Sequence, residues 1–274
     1  MPAGGPSSAY VRKRTDPATL WVPCSGMSTK GSESGSRQRR DTADELEPGN
    51  NILAALPDVE LRRLLSGADT VNLSFGQVLQ EPGQVKRFVY FPTDTYVSQI
   101  ASLSGAPRIE VGLVGAEGMI GSSLLLGVQI APLHAVVQCK GSALRLDAAR
   151  FARELVRGPA LRAVMSRYLY VRMSQVGQMV ACTRFHTVEE RLARWLLTTR
   201  DRARSDTFHM TQKYMAFMLG VRRVGVTEAA TLLQRRNLIE YHRGELAIVN
   251  ARELEAVSCE CYATAERVYR AYMT

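Results

Sequence analysis

The chain has 274 residues, enough for two domains with separate cores. Its formal charge is +9, which admits a polyanionic partner, and no apolar run approaches the ~18–20 residues of a membrane-spanning helix, so none is expected. Five cysteines, an odd number without framework spacing, speak against a disulfide scaffold and for a reducing cytoplasm.

Residues 1–48 carry 7 basic and 6 acidic side chains and are rich in Gly, Ser and Pro ("GGPSSAY", "STKGSESGSRQRRD"). Such a segment cannot bury enough surface to offset its ordering entropy, and it reads as a disordered tail with Met27 an alternative start. It also lacks the uninterrupted apolar core of a signal peptide. From Asn51, "NILAALPDVELRRLL" has apolar residues three to four apart and reads as one or two short helices. The runs "VNLSFGQVLQEPGQ", "RFVYFPTDTYVSQI", "RIEVGLVGAEGMIG" and "HAVVQCKGSALRL" then alternate apolar and polar positions between glycines. Residues 49–150 are therefore expected to form an antiparallel β-roll or sandwich, and the whole chain an α+β fold.

Beyond Asp147 the period becomes helical. Leu161, Met165, Leu169, Met173, Val176 and Val180 make one stripe, so residues 151–186 should be a linker and a long helix. The stripe must be covered by the same chain or by a twin; coiled-coil-like dimerisation is the preferred reading, with Arg162, Arg167 and Arg172 on the solvated face. Thr187 and Glu190 have capping-box spacing and open a third region, 187–274, whose core face starts with Leu192, Trp195 and Leu196.

Within it, the window beginning at Gln212 satisfies every constraint of a helix–turn–helix. Ala216 stands where two helices cross closely and Gly220 where the turn needs a positive φ. Met215, Leu219, Val221, Val226 and Ala229 fill the apolar slots, and Thr211 is a good N-cap. A second helix of this kind lies in the major groove with its N-terminal residues at base edges. Arg222, Arg223, Thr227 and Glu228 occupy the outward slots there: arginine suits guanine, threonine the thymine methyl and glutamate cytosine. Residues 239–241 and 246–248 read as two strands joined by a tight turn, a wing placing His242 and Arg243 beside phosphates, with Thr211 and Gln212 as further backbone contacts.

A glycine-punctuated β-roll, a striped helix and a winged helix–turn–helix, in that order, resemble the Crp/Fnr family of bacterial transcription regulators over residues ~50–274. The resemblance implies a cyclic-nucleotide-binding-like roll as sensor and a homodimer joined through the long helix. The dimer would bind a two-fold-symmetric site on double-stranded DNA, with RNA polymerase a further partner. In cyclic-nucleotide-binding members a Gly-Glu pair takes the ribose, and Arg-Ser-Ala about ten residues on grips the phosphate. In "EGMIGSSLLLGVQIAPLHAVVQ", Gly121 matches the glycine but Ser122 stands at the Glu position, and Leu133, His134 and Ala135 replace Arg-Ser-Ala. An anion placed there lacks its charge partner, so no cAMP or cGMP control is expected; another small-molecule effector stays open. The family's iron–sulfur branch would need clustered N-terminal cysteines, whereas the tail holds Cys24 alone.

No cofactor or metal is expected. Cys259 and Cys261 form a C-x-C without a visible second ligand pair, and they read as ordinary thiols. No paired acid and base, nucleophile elbow or phosphate-binding loop points to an enzyme. The alternative to a DNA regulator is a small-ligand sensor whose winged helix serves protein contacts.

Overall fold

The computed structural model describes residues 49–102 and 108–274; the expected tail lies outside the described residues. Asn50 caps α1 (Asn51–Ala54), its side chain accepting from the Ile52 amide at 3.1 Å, and Pro57 separates this turn from α2 (Asp58–Leu65). The roll comes next: β1 (Ala68–Leu73), β2 (Val78–Gln80), β3 (Phe88–Pro92), β4 (Val97–Ala101), β5 (Ile109–Val114), β6 (His134–Val137) and β7 (Gly141–Asp147). A 3-10 turn, Ser122–Leu126, lies between β5 and β6. Every named pairing is antiparallel, in one sheet ordered β1-β7-β3 and another ordered β2-β6-β4-β5. Leu73, Tyr90 and Ala143 from the first sheet cluster with Val97, Val114, Ala135 and Val137 from the second, as alternating strands require.

The Asp147 carboxylate caps α3 (Ala148–Arg157), and Pro159 opens α4 (Pro159–Phe185), a position where its missing N–H has no cost. The apolar stripe of α4 divides. Leu161 and Met165, with the neighbouring Val164, Tyr168 and Val171, are buried with Phe151, Phe91 and Leu124 in the core beneath the roll. Met173, Val176 and Val180 stay exposed, at 68%, 45% and 68%. The chain's own core thus covers the first half of the stripe and leaves the second half open. Arg172 is not on a solvated face: it donates to Gln99 at 2.6 Å and Gln175 at 2.7 Å.

The C-terminal region comprises α5 (Val188–Ala203), β8 (Thr207–His209), α6 (Gln212–Leu219), α7 (Arg223–Arg235), β9 (Ile239–His242), β10 (Glu245–Ile248), α8 (Ala251–Val257) and α9 (Cys261–Met273). The Thr187–Glu190 capping box closes reciprocally at the start of α5. Strand β8 joins the wing, giving the order β8-β10-β9; at three residues it is too short to announce itself by alternation. The roll and this region share a core, in which Ile100 and Val136 cluster with Trp195, Met215 and Leu219. Among the described residues no helix is long and apolar enough to cross a membrane.

Candidate nucleic-acid interface and effector cassette

The helix–turn–helix assembles from local rules. The Thr211 hydroxyl accepts from the Tyr214 amide at 3.1 Å and starts α6. Gly220 ends it at φ +64, and its N–H and that of Val221 close the turn onto Phe217 and Ala216 carbonyls. Met215, Ala216, Leu219, Val226 and Ala229 are buried between the helices, with Val221 partly so. Arg222 precedes α7 in extended conformation without a side-chain cap, and Arg223 is its first residue.

Arg222, Arg223 and Glu228 are exposed at this end of α7. Thr227 is half-buried and bonded within the protein: its hydroxyl is directed at Gln212 Oε1, 2.8 Å away, and at the Arg223 carbonyl, 3.0 Å away. Gln212 is thereby tied to α7. Tyr241, a residue the sequence offered no reason to select, joins the same cluster. Burial pushes its hydroxyl pKa up, opposed by a hydrogen bond with the Gln212 backbone and by the Arg223 charge. The starts of α6 and α7 and the wing strand β9 therefore meet around one tyrosine. At the wing tip Arg243 (φ +50) and Gly244 (φ +91) both take left-handed conformations, as a two-residue hairpin turn demands. His242 and Arg243 are exposed there.

Gly225, in the first turn of α7, needs no special backbone. A β-carbon there would meet Val188 at 3.8 Å, an ordinary contact.

The face of α6 away from α7 lies against β5. A β-carbon on Gly220 would come within 2.7 Å of Ile109 Cδ1. Next to it, Trp195 Nε1 donates to Glu110 Oε1 at 2.9 Å, and the Ser98 hydroxyl donates to the other carboxylate oxygen. Burial pushes the Glu110 carboxyl up to about 7 against these two hydrogen bonds and the charges of Arg194 and Arg172.

In the roll, Gly121 adopts φ +105 and opens the 3-10 turn beginning at Ser122. Leu133 and His134 are half-buried at the start of β6, and Ala135 is buried in the sheet cluster. Burial and the Arg108 charge pull the His134 pKa down, against Glu81, so the imidazole is a poor substitute for a guanidinium. Lys86, buried beside the cassette loop, donates to the carbonyls of Val128 at 3.2 Å and Ile130. Leu124 packs into the core with α3 and α4.

One expectation is corrected by the fold. Cys259 and Cys261 do have a second ligand pair: Cys182 and His186, at the end of α4, bring their donor atoms to within 4.8 Å of both thiols. The signal was present as C-x-x-x-H across one helical turn, but about 75 residues of intervening chain hid the juxtaposition.

Residues 190–257 match the Crp-like helix-turn-helix domain, and no curated protein matches the chain significantly. Among solved structures, the fold resembles a Crp/Fnr-family transcriptional regulator from Eubacterium rectale (13% identity, 77% of this chain and 99% of that one, TM-score 0.63). It also resembles FixK2 from Bradyrhizobium japonicum (14% identity, 70% and 98%, TM-score 0.60). A third is a CRP-family transcriptional regulator from Thermus thermophilus (17% identity, 69% and 96%, TM-score 0.58). Residues 190–257 thus carry a Crp-like helix-turn-helix domain, set behind a β-roll and a long helix in the fold that these regulators share.

Proposed function

We propose that the protein binds a two-fold-symmetric DNA operator as a homodimer, reading bases with Arg222, Arg223 and Glu228 at the start of α7. The exposure of these three side chains beside a Gly220-turned helix pair is the observation that carries the reading. Thr227 then acts more by fastening α7 to Gln212 than by free reach to a base, although its methyl group keeps the thymine option. Thr211, Gln212, His242 and Arg243 are the backbone contacts in this reading, which positions the helix without specifying sequence.

The exposed second half of the α4 stripe supports the dimer. Met173, Val176 and Val180 recur at coiled-coil spacing, and a β-carbon on Gly177 would meet nothing, so a second helix can approach closely. Ser122, Leu133, His134 and Ala135 support independence from cAMP and cGMP, as does the engagement of Lys86 by carbonyls: a cyclic phosphate would have to draw that ammonium away from both. An effector of other chemistry and contact with RNA polymerase remain compatible with this reading, as does action in the cytoplasm without catalysis.

Selection from random duplexes, with sedimentation of the complex, tests it. The expected outcome is a palindromic motif with half-sites about one helical turn apart, bound by two chains. A protein-contact wing would enrich no motif, and micromolar cAMP binding by calorimetry would remove the effector part alone.

A further inference from the structure

Three of the chain's five cysteines and one of its four histidines converge at a single point. Cys182 lies in the last turn of α4 and His186 is the residue that caps this helix, so both donors face the same way. Cys259 and Cys261 flank Glu260 where α8 gives way to α9. The three cysteines are 1%, 3% and 3% exposed and form a buried cluster of their own.

The distances are those of a tetrahedron around one ion. With Zn–S near 2.3 Å and Zn–N near 2.0–2.1 Å, neighbouring donors lie ~3.8 Å apart for two sulfurs and ~3.5 Å apart for sulfur and nitrogen. Cys182 Sγ is 3.6 Å from Cys259 Sγ, and Cys261 Sγ is 3.5 Å from His186 Nδ1. A disulfide would need its sulfurs at about 2.05 Å. A polynuclear iron–sulfur cluster would spread ligands over separate irons, wider than a set confined to 4.8 Å.

The surroundings suit a metal-bound thiolate set. His186 turns Nδ1 to the thiols while Nε2 lies 3.6 Å from a Glu260 carboxylate oxygen, the carboxylate–histidine–metal arrangement that fixes the ring. Gln178 Nε2 donates to Cys261 Sγ at 3.1 Å. Three thiolates around a divalent ion leave a net charge of about −1. Arg191 and Arg194 are both close enough to interact with the Cys182 charge, and the buried Nε of each has no hydrogen-bond partner.

We propose that Cys182, His186, Cys259 and Cys261 form a tetrahedral Zn²⁺ site that fastens α9 to the junction of α4 and α5. Four protein donors close the coordination sphere, so the ion is structural, with no position open for substrate. It sits where the dimer helix meets the DNA-binding region, and it clamps the C-terminal helix across that joint. α9 in turn meets the roll through Tyr269, whose hydroxyl donates to the Glu117 carbonyl at 3.0 Å. The clamp therefore ties three parts of the chain together.

Metal analysis of the full chain, purified under reducing conditions and reconstituted with Zn²⁺, tests this directly. One tightly held zinc per chain is expected. Replacement by Co²⁺ should give tetrahedral ligand-field bands with sulfur-to-cobalt charge transfer, a readout that needs no variant. Cys259→Ser and Cys261→Ser, checked for folding by circular dichroism, should lose the zinc, while Cys139→Ser in the roll should keep it. The proposal is overturned if the reduced wild-type chain takes up no stoichiometric zinc or shows octahedral cobalt. Iron with acid-labile sulfide, or a native Cys182–Cys259 disulfide, overturns it equally.

Discussion

Gly121 in the roll and Gly220 in the helix–turn–helix are built alike and serve differently. Each takes a positive φ, +105 and +64, and each borders a helical segment, Gly121 just before the 3-10 turn and Gly220 just after α6. A β-carbon at either would press on a roll side chain, Val89 in the first case and Ile109 in the second. The residues downstream of each glycine separate them. After Gly220 come Arg222 and Arg223, charged and exposed; after Gly121 come Ser122, Ser123 and the buried Leu124. Packing surrounds the turn in both places, and Leu124 after the first packs into the core.

The comparison can be broken most severely at the glycines themselves. Alanine at either position should cost about 1–2 kcal/mol for the left-handed backbone, with overpacking of about 1–3 kcal/mol added. Gly121→Ala should be the worse, since its β-carbon meets the stiff Val89 Cγ1 at 2.8 Å, whereas the Ile109 Cδ1 facing Gly220 can swing aside. Thermal unfolding ranks them, and a gel shift should find DNA binding impaired mainly in Gly220→Ala. Equal effects on both measurements would show that the two turns are not separable.

Glu110, next to Ile109, probes the seam on which Gly220 rests. Its native pKa is raised by burial from 4.5 to about 7, so the folded protein holds a proton that the unfolded chain releases. The stabilisation is full below the unfolded value and is lost as pH rises through about 7. Glu110→Gln should flatten the fall in melting temperature across that window; an unchanged pH profile would remove Glu110 from the seam's titration.

Arg223→Ala sharpens the other arm. It should weaken operator binding by about 1–3 kcal/mol and relax one base position, with folding unchanged. Loss shared evenly by all sequences would instead make Arg223 a phosphate contact. The smallest effect is expected at Gly225. Alanine there should stabilise α7 by up to about 1 kcal/mol, because φ is ordinary and Val188 leaves room. A loss of stability would expose a demand on that glycine that packing does not show.

The amino-acid sequence by itself determined what depends on neighbours along the chain. The Thr187–Glu190 box, the Thr211 cap, the positive-φ turn at Gly220 and the wing hairpin all close within a few residues, so composition and spacing suffice to write them. The roll was legible as alternation between glycines. Tertiary structure alone decided how far the α4 stripe is covered, that Thr227 and Tyr241 bind Gln212 and so join α7 and the wing to α6, and that Trp195 meets Glu110 across the seam. It alone brought Cys182 and His186 to Cys259 and Cys261. The physical reason is common to these cases: the partners stand far apart in the chain and share no local period, so only the packed core brings them into reach.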